Sequence, residues 1–225
     1  MFVHVMLEMQ DRPILVIGAG PVAARKAAQL AVGGAAITLL APSRQEELWQ
    51  DLPCRWLPQA YTADFPLAEY ALVVAATDKA ELNAQIAARC AEMGLACNCA
   101  SQPQLGTLVL PGVVQAGGFS AALYSGGRAP FLTKRLKREL AAWLAEYDEA
   151  TLEWLGQARR RLIAANPAAK QALLSTLGAV PLPRLKQKIQ EIADTGGQYE
   201  TENLIHWLQG EQAGSGPDGP GGPAD

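Results

Sequence analysis

Gly18 and Gly20, within Ile14-Leu-Val-Ile-Gly-Ala-Gly-Pro-Val-Ala-Ala-Arg-Lys26, have a spacing that suits one task, holding a pyrophosphate. The first glycine permits a tight turn. A missing side chain at the second lets an anion approach the backbone. A helix entered through Pro21 and Val22 then offers free N–H groups and the positive end of its dipole to that anion. Ala23 stands where the pattern has its third glycine, a place where a small residue lets helix and strand pack closely. By itself Gly-x-Gly-x-x-Ala is a weak signal that a simple turn also explains. The apolar run before it and the helical spacing after it point to a dinucleotide.

These residues need elements to position them. Ile14 to Ile17 reads as a strand buried on both faces of a parallel sheet. A helix is expected from Gly20 through Leu30, with Val22, Ala23, Lys26, Ala27 and Leu30 at helical spacing, ended by Gly33-Gly34. Ala35 to Ala41 is a second strand stopped by Pro42, followed by a segment without clear pattern. Ala71 to Ala76 is a third strand, Lys79 to Met93 a helix ended by Gly94, and Leu95 to Ala100 a further strand. Strands and helices in this rhythm give a Rossmann-type α/β sheet with right-handed crossovers. Its ligand crevice lies at the carboxyl ends of the strands. Gly18 to Pro21, Ala41 to Ser43, Ala75 to Asp78 and Ala100 to Pro103 therefore share one mouth. Thr77 or Asp78 also suits a helix N-cap, with Glu81 as a capping-box partner, a role compatible with a cofactor contact.

After Pro111 the pattern changes. Thr107 to Val114 and Phe119 to Tyr124 read as the arms of a hairpin around Gly117-Gly118. A helix from Pro130 carries Leu132, Leu136, Leu140, Trp143, Leu144 and Tyr147 as an apolar stripe among Lys134, Arg135, Lys137 and Arg138. Helices follow at 149–165, 168–177, 184–194 and 200–209, and the Gly/Pro-rich end from Glu211 is expected to be disordered.

Composition narrows the function classes. The net charge of −3 offers no basic stripe for nucleic acid. No apolar run reaches membrane-spanning length and no leader pattern is evident, so a cytoplasmic protein with no membrane partner is expected. Cys54, Cys90, Cys97 and Cys99 lack the paired spacing of a zinc site, and the only histidines are His4 and His206. No metal site is expected. Cys97 and Cys99 would point to one face of a strand as buried thiols.

Four ordered segments carry a resemblance. They are Gly18-Ala-Gly-Pro-Val-Ala-Ala-Arg-Lys26, Gly34-Ala-Ala-Ile-Thr-Leu-Leu-Ala-Pro42, Ala75-Ala-Thr-Asp78 with Leu82-Asn83, and Ser125-Gly-Gly-Arg-Ala-Pro-Phe-Leu-Thr-Lys134. Together they resemble the precorrin-2 dehydrogenase/sirohydrochlorin ferrochelatase family of sirohaem synthesis, from the N-terminus to about Leu140. The resemblance implies oxidation of precorrin-2, a tetrapyrrole, with NAD, by a homodimer. It implies an NAD-binding Rossmann domain at 1–113, a dimerisation region at 114–148, an α-helical domain at 149–210 and a tail at 211–225. Cofactor contacts would come from Gly18, Gly20, Pro21, Val22, Ala41, Pro42, Ser43, Thr77 and Asp78. Substrate contacts would come from Asn98, Ser125, Gly126 and Lys134.

Two departures matter. A Rossmann strand normally supplies an acidic residue for the adenosine ribose about 20 residues past the glycines, yet this strand ends Ala41-Pro42-Ser43-Arg44. The family shares the Ala-Pro ending, so backbone groups and Ser43 would serve instead. Arg44 would suit a 2′-phosphate, which keeps NADP open beside NAD. The second departure is Ser101, which stands where the family has an aspartate and so inherits the catalytic position. Serine has no useful proton affinity near neutral pH without a base. Dehydrogenation through positioning is therefore expected to persist and iron chelation to suffer. The alternatives are a non-catalytic tetrapyrrole- or metal-binding homologue and a dinucleotide-sensing regulatory domain. For Ser101 and Ser125 a plain turn residue is the simpler role.

Overall fold

The computed structural model describes residues 3–165, 167–194 and 200–214. The chain forms two units, Met1–Pro111 and Gly112–Asp225. In the first, β1 (Pro13–Ile17), α1 (Pro21–Ala31), β2 (Ala36–Leu40), α2 (Glu46–Trp49), β3 (Cys54–Leu57), β4 (Leu72–Ala75), α3 (Ala80–Glu92) and β5 (Ala96–Cys99) follow one another. The five strands form a single parallel sheet in the order β3-β2-β1-β4-β5. This is the Rossmann-type α/β arrangement expected of the apolar runs.

Side-chain alternation along the strands builds two cores. Ile14, Val16, Ile37, Leu39, Leu72 and Val74 face Ala23, Ala27 and Leu30 of α1. Leu15, Ile17, Val73, Ala75, Cys97 and Cys99 face Ile86, Ala87 and Cys90 of α3. The four residues Ile14 to Ile17 are essentially inaccessible, and burial of each such side chain contributes about 1.5–3 kcal/mol. Pro21 opens α1 with its φ already helical, and Gly34 at φ +77° turns the chain into β2. Cys97 and Cys99 do point to the same face. All four cysteines are free thiols, and the hydrogen bond between Cys90 and Cys97, reinforced by burial, holds the Cys97 thiol far above its usual range. Among the described residues no group of three or more His, Cys, Asp or Glu side chains is placed to hold a metal ion.

The structure adds α2 and β3 in the segment that carries no clear pattern. It also moves the first hairpin arm. Thr107 and Leu108 both donate their N–H groups to the Cys97 carbonyl, at 2.9 and 3.2 Å, which ties that stretch to β5. The hairpin of the second unit therefore pairs β6 (Gly112–Ala116) with β7 (Phe119–Leu123). Gly117 and Gly118, at φ +55° and +73°, make the two-residue turn that such a tight connection requires.

Among the described residues, five helices follow in the second unit: α4 (Pro130–Leu144), α5 (Glu149–Ala165), α6 (Lys170–Ala179), α7 (Leu182–Asp194) and α8 (Thr201–Gly214). Leu162, Leu173, Leu177, Leu185, Leu204 and Leu208 form the core of α5 to α8. The expected disorder from Glu211 is corrected over four residues. Glu211 stays helical because its carboxylate accepts a hydrogen bond from Arg184 Nε at 2.9 Å, and Gln212 donates to Thr176 Oγ1 at 2.8 Å. The remainder of that expectation, 215–225, lies outside the described residues. Among the described residues no helix is long and apolar enough to cross a membrane.

Candidate functional site

The mouth of the sheet is built by hydrogen bonds that continue the parallel ladder past the strand ends. Gly18 N–H donates to Leu40 O at 3.0 Å, Ala76 N–H to Ile17 O at 2.9 Å, Ala41 N–H to Leu57 O at 3.2 Å and Ala100 N–H to Ala75 O at 2.9 Å. Gly18 has φ +105°, and a Cβ there would run into the carbonyl of Ala76 and lie 2.8 Å from Thr77 N. Only glycine fits. Gly20 differs, with φ −76° and ψ 178°, a conformation open to any residue, and a Cβ there would meet no atom within 4 Å.

Gly20 is the N-cap of α1, and no side chain caps that helix. Pro21 has no N–H, and the first intrahelical bond runs from Ala24 N–H to Gly20 O at 3.0 Å. By helix geometry the N–H groups of Val22 and Ala23 have no intrahelical acceptor. Two donors, the positive end of an eleven-residue helix and an open space beside a side-chain-free residue fit a pyrophosphate.

Two indoles brace this mouth, and the sequence reading missed both. Trp49, 1% exposed, is buried against α1 and donates its Nε1–H to Ala19 O, between the two glycines, at 2.9 Å. Trp56 on β3 donates its Nε1–H to Ala41 O at 3.0 Å. The one available signal was a pair of tryptophans in an otherwise polar stretch. Pro42 and Ser43 lie exposed beyond Ala41. Arg44 does not stand free there. Its guanidinium lies 4.7 Å from the Trp56 ring centre and donates from Nε and Nη2 to both oxygens of Glu46, at 3.0 and 2.8 Å.

A second knot joins the ends of β4 and β5. Asn83, fully buried in α3, accepts the Thr77 N–H at 2.9 Å and lies 2.8 Å from Thr77 Oγ1. Its Nδ2 donates to Thr77 O at 3.0 Å and to Ser101 Oγ at 3.2 Å. The expected cap at Thr77 or Asp78 is corrected. The N-cap of α3 is Lys79 and no side chain caps the helix, because the Thr77 hydroxyl turns inward to Asn83 and accepts the Lys79 N–H at 3.2 Å instead. Asp78 is exposed at the rim. Among the described residues, the other side chain hydrogen-bonded to Ser101 Oγ is Cys99, whose Sγ is 3.9 Å away, so the serine is fixed in place and has no base to activate it. Asn98 sits one residue inside the strand. It donates to Leu108 O at 3.1 Å, and its buried Oδ1 has no partner.

Ser125, Gly126 and Lys134 belong to the second unit. Ser125 Oγ accepts the Ala129 N–H at 3.2 Å and Gly126 adopts φ +66°, which together turn the chain into α4. Lys134, Lys137 and Arg138 overhang a groove of about 360 Å³ whose apolar lining includes Val113 and Val114 of β6 and Ala141 of α4.

Comparison with known proteins gives a matching family model, similar relatives and a similar fold. Residues 5–112 match a family model described as "Putative NAD(P)-binding". A protein named "Siroheme synthase" from Tolumonas auensis is 32% identical over 166 residues, which cover 72% of this chain and 35% of that protein. Its namesake from Ectopseudomonas mendocina is 34% identical over 143 residues, covering 64% of this chain and 31% of that one. The chain thus spans about a third of the length of the curated relatives it matches. A solved structure described as "SirC, precorrin-2 dehydrogenase" shares the fold with a TM-score of 0.54 at 24% identity. The alignment covers 94% of this chain and all of that one.

Proposed function

The chain belongs to the family of the sirohaem synthase N-terminal module and precorrin-2 dehydrogenase, and from that membership we propose that it oxidises precorrin-2 to sirohydrochlorin with NAD. The observation that carries the proposal is the open cradle at Gly20, a position where the fold itself makes no demand for glycine. NAD, when bound, supplies the hydride acceptor. The chain supplies placement. Val22 and Ala23 N–H groups hold the pyrophosphate, Trp49 fixes the loop that carries it, and Thr77, Asp78, Ala41, Pro42 and Ser43 border the remainder of the cofactor.

Precorrin-2 bears many carboxylates. Lys134, with Lys137 and Arg138 beside it, supplies positive charge in the second unit to meet them, and Ser125 and Gly126 of the same unit are further proposed contacts. Ser101, held by Asn83 and with no hydrogen bond to a carboxylate or imidazole among the described residues, fixes position rather than accepting a proton. Oxidation toward a more conjugated ring proceeds from placement, whereas insertion of iron needs a group that takes protons from pyrrole nitrogens. The chain is therefore proposed as a dehydrogenase with little chelatase activity. Anaerobic incubation with precorrin-2 and NAD, followed by absorbance, should show sirohydrochlorin with matching NADH. The unassisted Ser101 also favours a second reading, a non-catalytic tetrapyrrole binder, which ring binding without turnover would establish.

The proposed assembly is a symmetric homodimer. Phe131 is 78% and Trp143 54% exposed, with Leu132 and Leu136 also open on α4. Large apolar side chains left open along one helix support an interaction face. Light scattering at micromolar concentration should return twice the 23.9 kDa chain mass, and Phe131→Glu with Trp143→Glu should return the single mass.

A further inference from the structure

We infer that Glu46, through its two-point grip on Arg44, makes the adenosine end of the cofactor site selective for NAD over NADP. The inference rests on the cofactor reading above and adds to it a ribose-recognition group that the strand end itself lacks.

In a sheet of this kind the adenosine ribose arrives just beyond the carboxyl end of β2. That end is immobilised from both sides, by Ala41 N–H on Leu57 O and by Trp56 Nε1–H on Ala41 O. Arg44 is the cation at this place, and three of its five N–H donors are already engaged. One face of the guanidinium lies against Trp56, Nε and Nη2 go to the Glu46 carboxylate, and Nη1 points at Cys54 Sγ, 4.0 Å away. The side chain of Arg44 is only 19% exposed while that of Glu46 is 63% exposed. An arriving group therefore meets the carboxylate before the guanidinium.

The two cofactors differ at one position, and Glu46 answers them oppositely. A 2′-phosphate would approach a carboxylate of like charge, and the Nε–Nη2 edge that offers bidentate recognition is held by that carboxylate. A ribose diol presents hydroxyl donors. Each oxygen of an Arg-paired carboxylate keeps a free lone-pair site, so Glu46 accepts them without releasing Arg44. Support of the fold does not account for the pair, because a surface ion pair contributes only about 0–1 kcal/mol and α2 is a single turn. Glu46→Gln should therefore fold normally.

The test is calorimetric titration of the full chain with NAD and with NADP, for the parent, Glu46→Gln, and Glu46→Gln combined with Arg44→Met. The parent is expected to bind NAD at least about tenfold more tightly than NADP. Glu46→Gln should tighten NADP about tenfold and weaken NAD a few-fold, since the amide neither repels phosphate nor holds the guanidinium as strongly. Adding Arg44→Met should cancel the gain for NADP. A parent that prefers NADP, or a preference indifferent to Glu46→Gln, overturns this inference alone. A parent that binds neither dinucleotide overturns the cofactor reading and this inference with it.

Discussion

Gly20→Val is expected to abolish dinucleotide binding, a loss of about 10²–10⁴-fold, while the first unit keeps its fold. The backbone at Gly20 already sits at a φ and ψ that valine adopts, and its Cβ would touch no protein atom. The branched side chain would fill the space in front of the Val22 and Ala23 N–H groups. Losing two hydrogen bonds to a charged ligand, each contributing about 1.5–3 kcal/mol, gives the stated range. Titration calorimetry reads the affinity, and circular dichroism melting reads the fold. Gly18→Val is the contrasting variant. At φ +105° and against the Ala76 carbonyl it should fail to fold, so the two glycines separate a demand of the ligand from a demand of the chain. Undiminished affinity in Gly20→Val would remove this loop from the cofactor site.

Ser101→Asp is expected to raise precorrin-2 oxidation by about 10²-fold, the lower end of what a placed acid–base group contributes. The neighbourhood is already arranged for it. Asn83 Oδ1 is committed to Thr77, so Nδ2 is the atom turned toward position 101, 3.2 Å from the serine oxygen. A carboxylate there would inherit an oriented donor. Iron or cobalt insertion, assayed separately, should go from negligible in the parent to measurable in the variant. Efficient insertion by the parent would refute the argument from the missing carboxylate. Failure of both proteins to oxidise precorrin-2 would leave the tetrapyrrole-binding reading in its place.

What was legible in the chain and what was not divides along a physical line. Continuous apolar runs make β1 and β4 readable, because strands buried on both faces have little choice of composition. Gly18, Gly34 and Gly94 announce their turns because each has a positive φ. β3 was not readable. It is an edge strand in which Arg55 and Trp56 are exposed, so neither alternation nor a long apolar run marks it. The glycine loop was legible as local pattern, but its brace was not, since Trp49 reaches Ala19 across thirty positions. Glu46 escaped for a different reason: a ribose carboxylate is sought at the strand end, and the proposed one stands on the following turn. The Thr77 hydroxyl was read as a cap because capping is a local rule. The buried Asn83 outcompeted it through the crossing of α3 over β4 and β5.

Trp49 has one polar atom, and that atom is held by the cofactor loop while the rest of the ring is core. Interior quality and ligand affinity are thereby wired together. A random mutagenesis screen scored only on dinucleotide retention should return substitutions at Ala27, Leu30 or Leu39, which pack in the same core as Trp49 and contribute nothing to the ligand. Such hits would look like distant regulators. They would be packing lesions reported through an indole, and second-site revertants should cluster around that ring rather than around the glycines.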